Sequence, residues 1–530
     1  MRMPYQCMTR CGDILVAARG SSIDLFKLQD GSLLSTWNCS NHDNQNGKVS
    51  DGGGADLTTM LVTTQTSESS SVEIALDAAS PPAKKRKLSH SEQSPNQTEP
   101  KNGKKKQNNR SAAVASGLEA PAVTVLASTT DRKHVVAVTG EDKSIRVFEI
   151  VTTDGVHILK QLSQRNMPKR PCTVAITKDN STIISADKFG DVYALPLLPS
   201  KDLAKPSPVF EPASSKPFVP AANELTIHSQ RNRKALENQK RHSNKASEKS
   251  EPTFEHKLLL GHVSMLTDVA LVTSDEKDYI ITADRDEHIR ISRGIPQSHI
   301  IEGFCLGHTD FITRLCIPRN RSNLLISAGG DDELFVWKWQ SSQLVSRANL
   351  KRHAEALKTK STGSDTVQES TEPFKIAVSG LYHTQRYVDD HFVDFIIVTC
   401  EGIAALFLFD LHADDNSLRY IQTFELPGNP LAVVANMSPT QCSSNEVIVS
   451  VDMVHQPGST VERRLGSATE QSLLAIQLCD SGLVSGGVTF REPVEEDKSL
   501  SSSDDTTGRL GNLLYNLENL RKRDGEGQDE

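Results

Sequence analysis

Three side chains near the middle of the chain are of the types that cleave acyl bonds: His308, Ser327 and Asp331. A histidine oriented by a carboxylate can take the proton of a serine hydroxyl and turn it into a nucleophile. That chemistry needs the serine on a strained turn of the G-x-S-x-G kind, and the sequence contains none. The same residue types have a structural use. A His on an entry loop, a Ser or Thr on a strand, an Asp at the next turn and a Trp on the following strand can form one hydrogen-bonded chain. Such a chain is favourable when every member finds a partner. His308, Ser327, Asp331 and Trp337 stand in that order. His262, Thr282 and Asp286 repeat it 45 or 46 residues earlier, with Ser292 where the Trp would fall. These residues are read as structural, and no residue is assigned as catalytic.

Other chemistries lack their residues. Cys7 and Cys11 are the closest of nine cysteines, and no second pair or His cluster completes a zinc site. A methyl-donor or dinucleotide fold of the chain's own would need a Gly-rich turn after a first strand, with an acidic residue beyond it. The only glycine cluster, Gly52-Gly53-Gly54, lies in a polar stretch. No P-loop is present either. The sequence predicts no metal, no cofactor and no small-molecule substrate.

The elements that position these residues follow from the repeat. From Gly261 to Trp339 the chain twice reads Gly-His, apolar strand, turn, second strand, acidic turn, third strand. A period of about 45 with Gly-His at one end and Trp at the other is the signature of a WD-type propeller blade. Residues 13–28 alternate like a blade hairpin, with Phe26 at the aromatic position. Residues 121–150 form a further blade in which Asp142 precedes Phe148 as Asp331 precedes Trp337. Residues 171–197 form another, with Leu195 at the aromatic position. Looser blades are predicted over 374–411 and 418–478.

About seven blades result, so the fold class is all-β: a seven-bladed WD40-type β-propeller with long insertions and a short C-terminal helix. Residues 1–39 are expected to supply the first blade and ring closure, with the N-terminus around Tyr5 completing the last blade. Blades then fall in 119–198, 257–340 and 374–490, with a linker over 341–373. The acidic tail, 491–530, contains Leu510, Leu513, Leu514, Leu517 and Leu520 at helical spacing. That helix must dock on the ring or on a partner.

Composition limits the rest. Only 37% of the 530 residues are hydrophobic and 5% aromatic, too few for all of them to pack in a core. The deficit falls in 40–118 and 199–256, both expected to be disordered insertions. The first carries Lys84-Lys85-Arg86-Lys87, followed by Lys104-Lys105-Lys106. Such a run in an extended setting reads as a nuclear import signal, so a nuclear location is expected. The first twenty residues lack the apolar run of a secretion signal. The apolar stretch from Phe395 to Leu411 is too short and polar to span a bilayer. A soluble intracellular protein with reduced thiols is expected.

At the central repeats the sequence is more selective than a generic blade. TADRDEHIRISR, then FCLGHTDFITRL, then LLISAGGDDELFVWKW resembles the non-catalytic WD-repeat subunit of the eukaryotic tRNA (guanine-N7)-methyltransferase, in its fungal form. The match is specific over about 258–340 and looser elsewhere. The resemblance implies a chain that is not itself an enzyme. It implies a heterodimer with a separate catalytic subunit, stabilised by the ring, that makes 7-methylguanosine in the tRNA variable loop. It also implies docking on the side of the ring at this blade. The motif residues are Asp284, Arg285, Asp286, Glu287, His288 and Arg290, and partner contact is expected from Arg285, Glu287, His288 and Arg290. Arg290 is the first choice for an ion pair, because its fork suits a carboxylate. Asp286 is expected to be the structural turn acid. tRNA would be met through the complex. The competing reading is a nuclear WD40 interaction hub, a chromatin or ubiquitin-ligase adaptor, which would bind peptides on the top face or in the central channel.

Overall fold

The computed structural model describes residues 3–39, 120–153, 155–199, 254–361, 374–388, 391–435, 445–464, 471–493 and 510–522. The Lys84–Lys87 cluster and the predicted insertions fall largely outside these residues. The described strands form seven antiparallel four-stranded sheets, the blades of a propeller. Their innermost strands are β1 (Cys7–Cys11), β5 (Val123–Ser128), β9 (Pro171–Ile176), β13 (Leu266–Ser274), β17 (Ile312–Cys316), β21 (Val378–Val388) and β25 (Asn429–Ala435). Each touches the next around the axis, and β25 touches β1, so the ring is closed. Closure packs the first and last blades against each other, and the outer strand of each blade remains a short edge.

The sequence pattern explains the layering. The second strand of each blade is flanked by a neighbouring sheet on both faces and reads as a continuous apolar run. LLISAG of β18 (Leu324–Gly329) is buried throughout. Seven apolar cores result, one in each wedge between adjacent blades.

Closure differs from the expectation. The N-terminus does not complete the last blade. Each blade uses four strands in chain order, and β1 is the innermost strand of blade one. The seam is closed by packing instead. Tyr5 and Phe490 each meet the Phe26 ring edge-on, and Arg491 N–H donates to Gly31 O. Gly31 has φ +67, and a Cβ there would meet Thr489 O at 2.2 Å, so the seam requires glycine.

Two further boundaries move. The second insertion falls inside blade three, between β11 (Asp191–Pro196) and β12 (Lys257–Gly261), so 257–261 belongs to blade three. The predicted linker over 341–373 begins with structure. β20 (Gln343–Asn349) is the outer strand of blade five, and helix α1 (Lys351–Ser361) follows it. The polar faces of both hid them from a periodicity search.

The C-terminal helix is also shorter than predicted. Residues 510–514 are helical, Tyr515 and Asn516 are extended, and Leu517–Leu520 form one 3-10 turn. One helical turn has no stability of its own. Asn516 leaves helical geometry at φ −153, and the amide of Leu517 donates to Glu401 at 2.8 Å instead of to its own helix.

Candidate functional site

Blade five carries the full polar chain. Trp337 Nε1 donates to Ser327 Oγ at 2.8 Å. Ser327 Oγ lies 2.7 Å from His308 Nε2, and His308 Nδ1 lies 2.6 Å from Asp331. Asp331 also accepts from the Thr309 amide and hydroxyl. Burial alone would raise the Asp331 carboxyl, but the bonds from His308 and Thr309 outweigh it and hold its pKa below the usual value. The Ser327 hydroxyl is enclosed by these partners and fully buried, so no substrate reaches it.

Blade four keeps half of this arrangement, and here the sequence reading is corrected. His262 Nε2 meets Thr282 Oγ1 at 2.9 Å, but the acid facing His262 is Asp284, 3.7 Å away, not Asp286. Asp284 is buried and closes the turn by accepting from the amides of Asp286 and His288. The Asp286 side chain is 43% exposed, and Glu287 beside it takes the left-handed region at φ +74. There Asp286 lies 3.5 Å from Lys522.

Arg290 and Ser292 occupy the positions that Phe335 and Trp337 hold in blade five, 45 residues on. Those two rings are stacked 5.8 Å apart. In their place Arg290 donates from Nε to Ser292 Oγ at 3.0 Å and from Nη1 to Gly261 O at 2.9 Å. Its partners are neutral, and it has no ion pair among the described residues. Only 8% of the residue is exposed, and desolvation lowers its pKa. Arg146 shows the alternative: it is equally buried, but it pairs with Asp142 four residues earlier at 3.0 Å. Asp286 stands at the same spacing before Arg290 and turns to Lys522 instead.

Arg290 pairs in register with the outer strand of its blade. Phe304 lies opposite it in register, on the outer strand β16 (Ile301–Cys305), and is 40% exposed. Leu258, Val263, Ile295, Ile301 and Leu306 are also exposed in this stretch. Residue type did not separate Ile301 and Phe304 from core, because single apolar side chains on a short strand serve either place.

The other expected contact residues point towards the top face, where the second strand of each blade hands over to the third. Arg285 Nε donates to Leu520 O at 2.7 Å, and Glu287 accepts from Lys522 at 3.0 Å. His288 is half-exposed, 3.6 Å from Asp284. Residues 510–522 therefore cross the mouth of the axial channel. Tyr515 is buried, with its hydroxyl between Asp452 and Asn429. Arg521 reaches Asp310 and the carbonyls of Gly330 and Ile376, 5.1 Å from the centre of the Phe311 ring. Below lies a cavity of about 240 Å³, lined from all seven blades by Gln6, Thr124, Cys172, Thr267, Arg314, Ser379 and Leu431, and closed over by Leu513, Leu514, Leu517 and Leu520. The sequence left open whether this segment docks on the ring or on a partner; it docks on the ring, through contacts between residues 63 to 235 positions apart. Among the described residues no group of His, Cys, Asp and Glu is placed to hold a metal.

Residues 15–477 match the family model described as the tRNA methyltransferase TRM82 WD40 domain. The chain is 46% identical to the tRNA (guanine-N(7)-)-methyltransferase non-catalytic subunit trm82 of Sclerotinia sclerotiorum, over 99% of both chains. It is 38% identical to the corresponding subunit of Coccidioides immitis, over 98% of this chain and 96% of the relative. It is 36% identical to that of Aspergillus oryzae, over 99% of both. With a matched model over most of its length and relatives of this identity end to end, the chain belongs to the TRM82 family of WD-repeat, non-catalytic tRNA (guanine-N7)-methyltransferase subunits.

Proposed function

We propose that this chain holds the catalytic subunit of a tRNA (guanine-N7)-methyltransferase on the outer edge of blade four, and that 7-methylguanosine formation in the tRNA variable loop depends on that contact. One observation carries the reading: Arg290 is a buried guanidinium without a carboxylate, set against exposed Phe304. A desolvated arginine beside an apolar strip has the make-up of an interface anchor. A partner carboxylate supplies the missing charge, and its bond to a guanidinium already stripped of water is strong. Ile301, Phe304 and Leu306 supply the apolar area around it.

The rate effect is a population shift. The ring binds the competent arrangement of the catalytic subunit better than the idle one, and the gain is bounded by that difference in affinity. No group of this chain takes part in methyl transfer. Lys84–Lys87 would bring the complex into the nucleus. The peptide-hub alternative would use the top face, and it predicts that Arg290→Glu leaves tRNA methylation unchanged.

The test is Arg290→Glu in the source cell. The reading expects a folded ring, loss of the co-purifying methyltransferase and loss of tRNA 7-methylguanosine. Unchanged methylation with a folded variant would refute it.

A further inference from the structure

Five acidic side chains on the top face, Asp286, Glu287, Asp310, Glu401 and Asp452, are turned to residues 510–522. They meet chemically matched groups: an ammonium, a guanidinium, a backbone amide and a phenol. Two of the contacts are pockets with defined shape. The first, in blade seven, encloses Tyr515 between Asp452, Asn429 and the edge of His455. The second, between blades five and six, holds the Arg521 guanidinium by two carbonyls, one carboxylate and a ring face. Between them the half-buried leucines lie over the channel.

We propose that the top face of this ring is a peptide-binding surface, selective for a tyrosine and an arginine six residues apart with leucines between, and that residues 510–522 are its resident and releasable ligand. The pockets account for the selectivity. A phenol can donate to Asp452 and accept from Asn429 at once, and a planar donor fork can reach two carbonyls and a carboxylate at once. Release follows from the composition of the contact. Tyr515 is the single buried side chain of the segment, its leucines are only half-buried and Lys522 is exposed, which is the profile of a part that opens well below the global unfolding free energy. Tethering works against release: a segment on the same chain presents itself at an effective concentration of order mM, so a ligand in trans must compete with it. The lifted state exposes the five carboxylates around a mouth of mixed polarity, in which Met265, Leu266 and Leu431 can receive leucines, and this fits a peptide that carries basic groups and leucines. This surface is separate from the outer edge of blade four, and the proposal stands whether or not a partner binds there.

The test uses the full chain and a labelled peptide of residues 508–523. With Tyr515→Ala and Arg521→Glu together in the full chain, the peptide is expected to bind saturably, one per ring. Its apparent affinity should be about tenfold or more above that for the unmodified chain, whose own segment competes. A peptide with its tyrosine replaced by alanine is expected to lose about tenfold or more in binding. In the unmodified chain, excess peptide is expected to speed hydrogen exchange of amides 515–521 while the blade strands stay protected. This second arm does not depend on the variant folding. Equal binding, or equal absence of binding, to variant and unmodified chains overturns the proposal. So does exchange of amides 515–521 that is unprotected from the start or indifferent to excess peptide.

Discussion

Glu287 accepts a 3.0 Å hydrogen bond from Lys522, a residue 235 positions away in the chain. The contact ties the end of the capping segment to the turn that follows β14 (Lys277–Asp284) in blade four. Both side chains are partly exposed, 47% for Lys522 and 34% for Glu287, so the pair is worth about 0.2–1 kcal/mol and is screened by salt. Lys522→Glu is expected to speed amide exchange at 520–522 only, leaving the thermal midpoint unchanged. Adding Glu287→Lys should restore protection by reversing the pair. A global loss of stability from Lys522→Glu alone would show that the contact does more than pin the segment's end.

The cap is expected to be pH-sensitive through Glu401. Burial raises this carboxyl from its ordinary 4.5 to about 7; the bond from the Leu517 amide opposes the shift, and nearby Glu518 adds to it. A raised carboxyl favours the protonated, docked state. Its contribution is fully present below the unfolded value and is lost as pH rises through about 7. Asp452 behaves oppositely. Burial would raise its pKa, but the bonds from His455 and Tyr515 lower it, so its contribution is lost only in acid. Amides 515–521 should therefore exchange faster at pH 8 than at pH 5.5, after correction for the intrinsic rate. Glu401→Gln should flatten that difference. An unaltered pH profile in Glu401→Gln would rule Glu401 out as the cause.

The two polar chains should differ in what they contribute to stability. Trp337→Phe keeps the ring and removes one donor to Ser327, which should cost about 1–3 kcal/mol. Asp331→Ala leaves His308 and two Thr309 donors facing a buried void and should cost more, about 3–5 kcal/mol. In blade four His262 lies 3.7 Å from its acid, too far for a direct hydrogen bond. His262→Ala should therefore cost less than His308→Ala in denaturant midpoints, and equal costs would contradict the geometry.

These contrasts mark how far the sequence could be read. The blade count and the chain His308–Ser327–Asp331–Trp337 were legible, because fixed spacings recur and buried polar groups must pair. The identity of the turn acid in blade four was not, because Asp284 and Asp286 stand two positions apart in one turn and spacing alone does not reveal which of them faces His262. β20 and α1 were hidden by their polar faces. Leu510 to Leu520 do show helical spacing, but Tyr515 and the Leu517 amide find better partners on the ring than a helix would offer. Phe304 was missed because a single aromatic residue on a short strand, IEGFC, does not reveal by its type whether it faces the core or water.

That ambiguity gives the sharpest test of the interface. Phe304 and Ile301 lie on an outer strand and are 40% and 46% exposed, so Phe304→Ser with Ile301→Ser should change the ring's own stability by less than about 1 kcal/mol. If they border a partner, the same pair should weaken co-purification of the catalytic subunit by about tenfold or more, since an apolar rim keeps water from the buried charge. Arg290→Lys separates the two elements further. The ammonium keeps the positive charge but cannot hold Ser292 Oγ and Gly261 O while also meeting a carboxylate in fork geometry. It should give a folded ring with intermediate complex formation, between the unmodified chain and Arg290→Glu. Full retention of the complex in the Phe304/Ile301 double variant would move the interface away from this edge of blade four. A double variant that unfolds would instead show that the two side chains belong to the core.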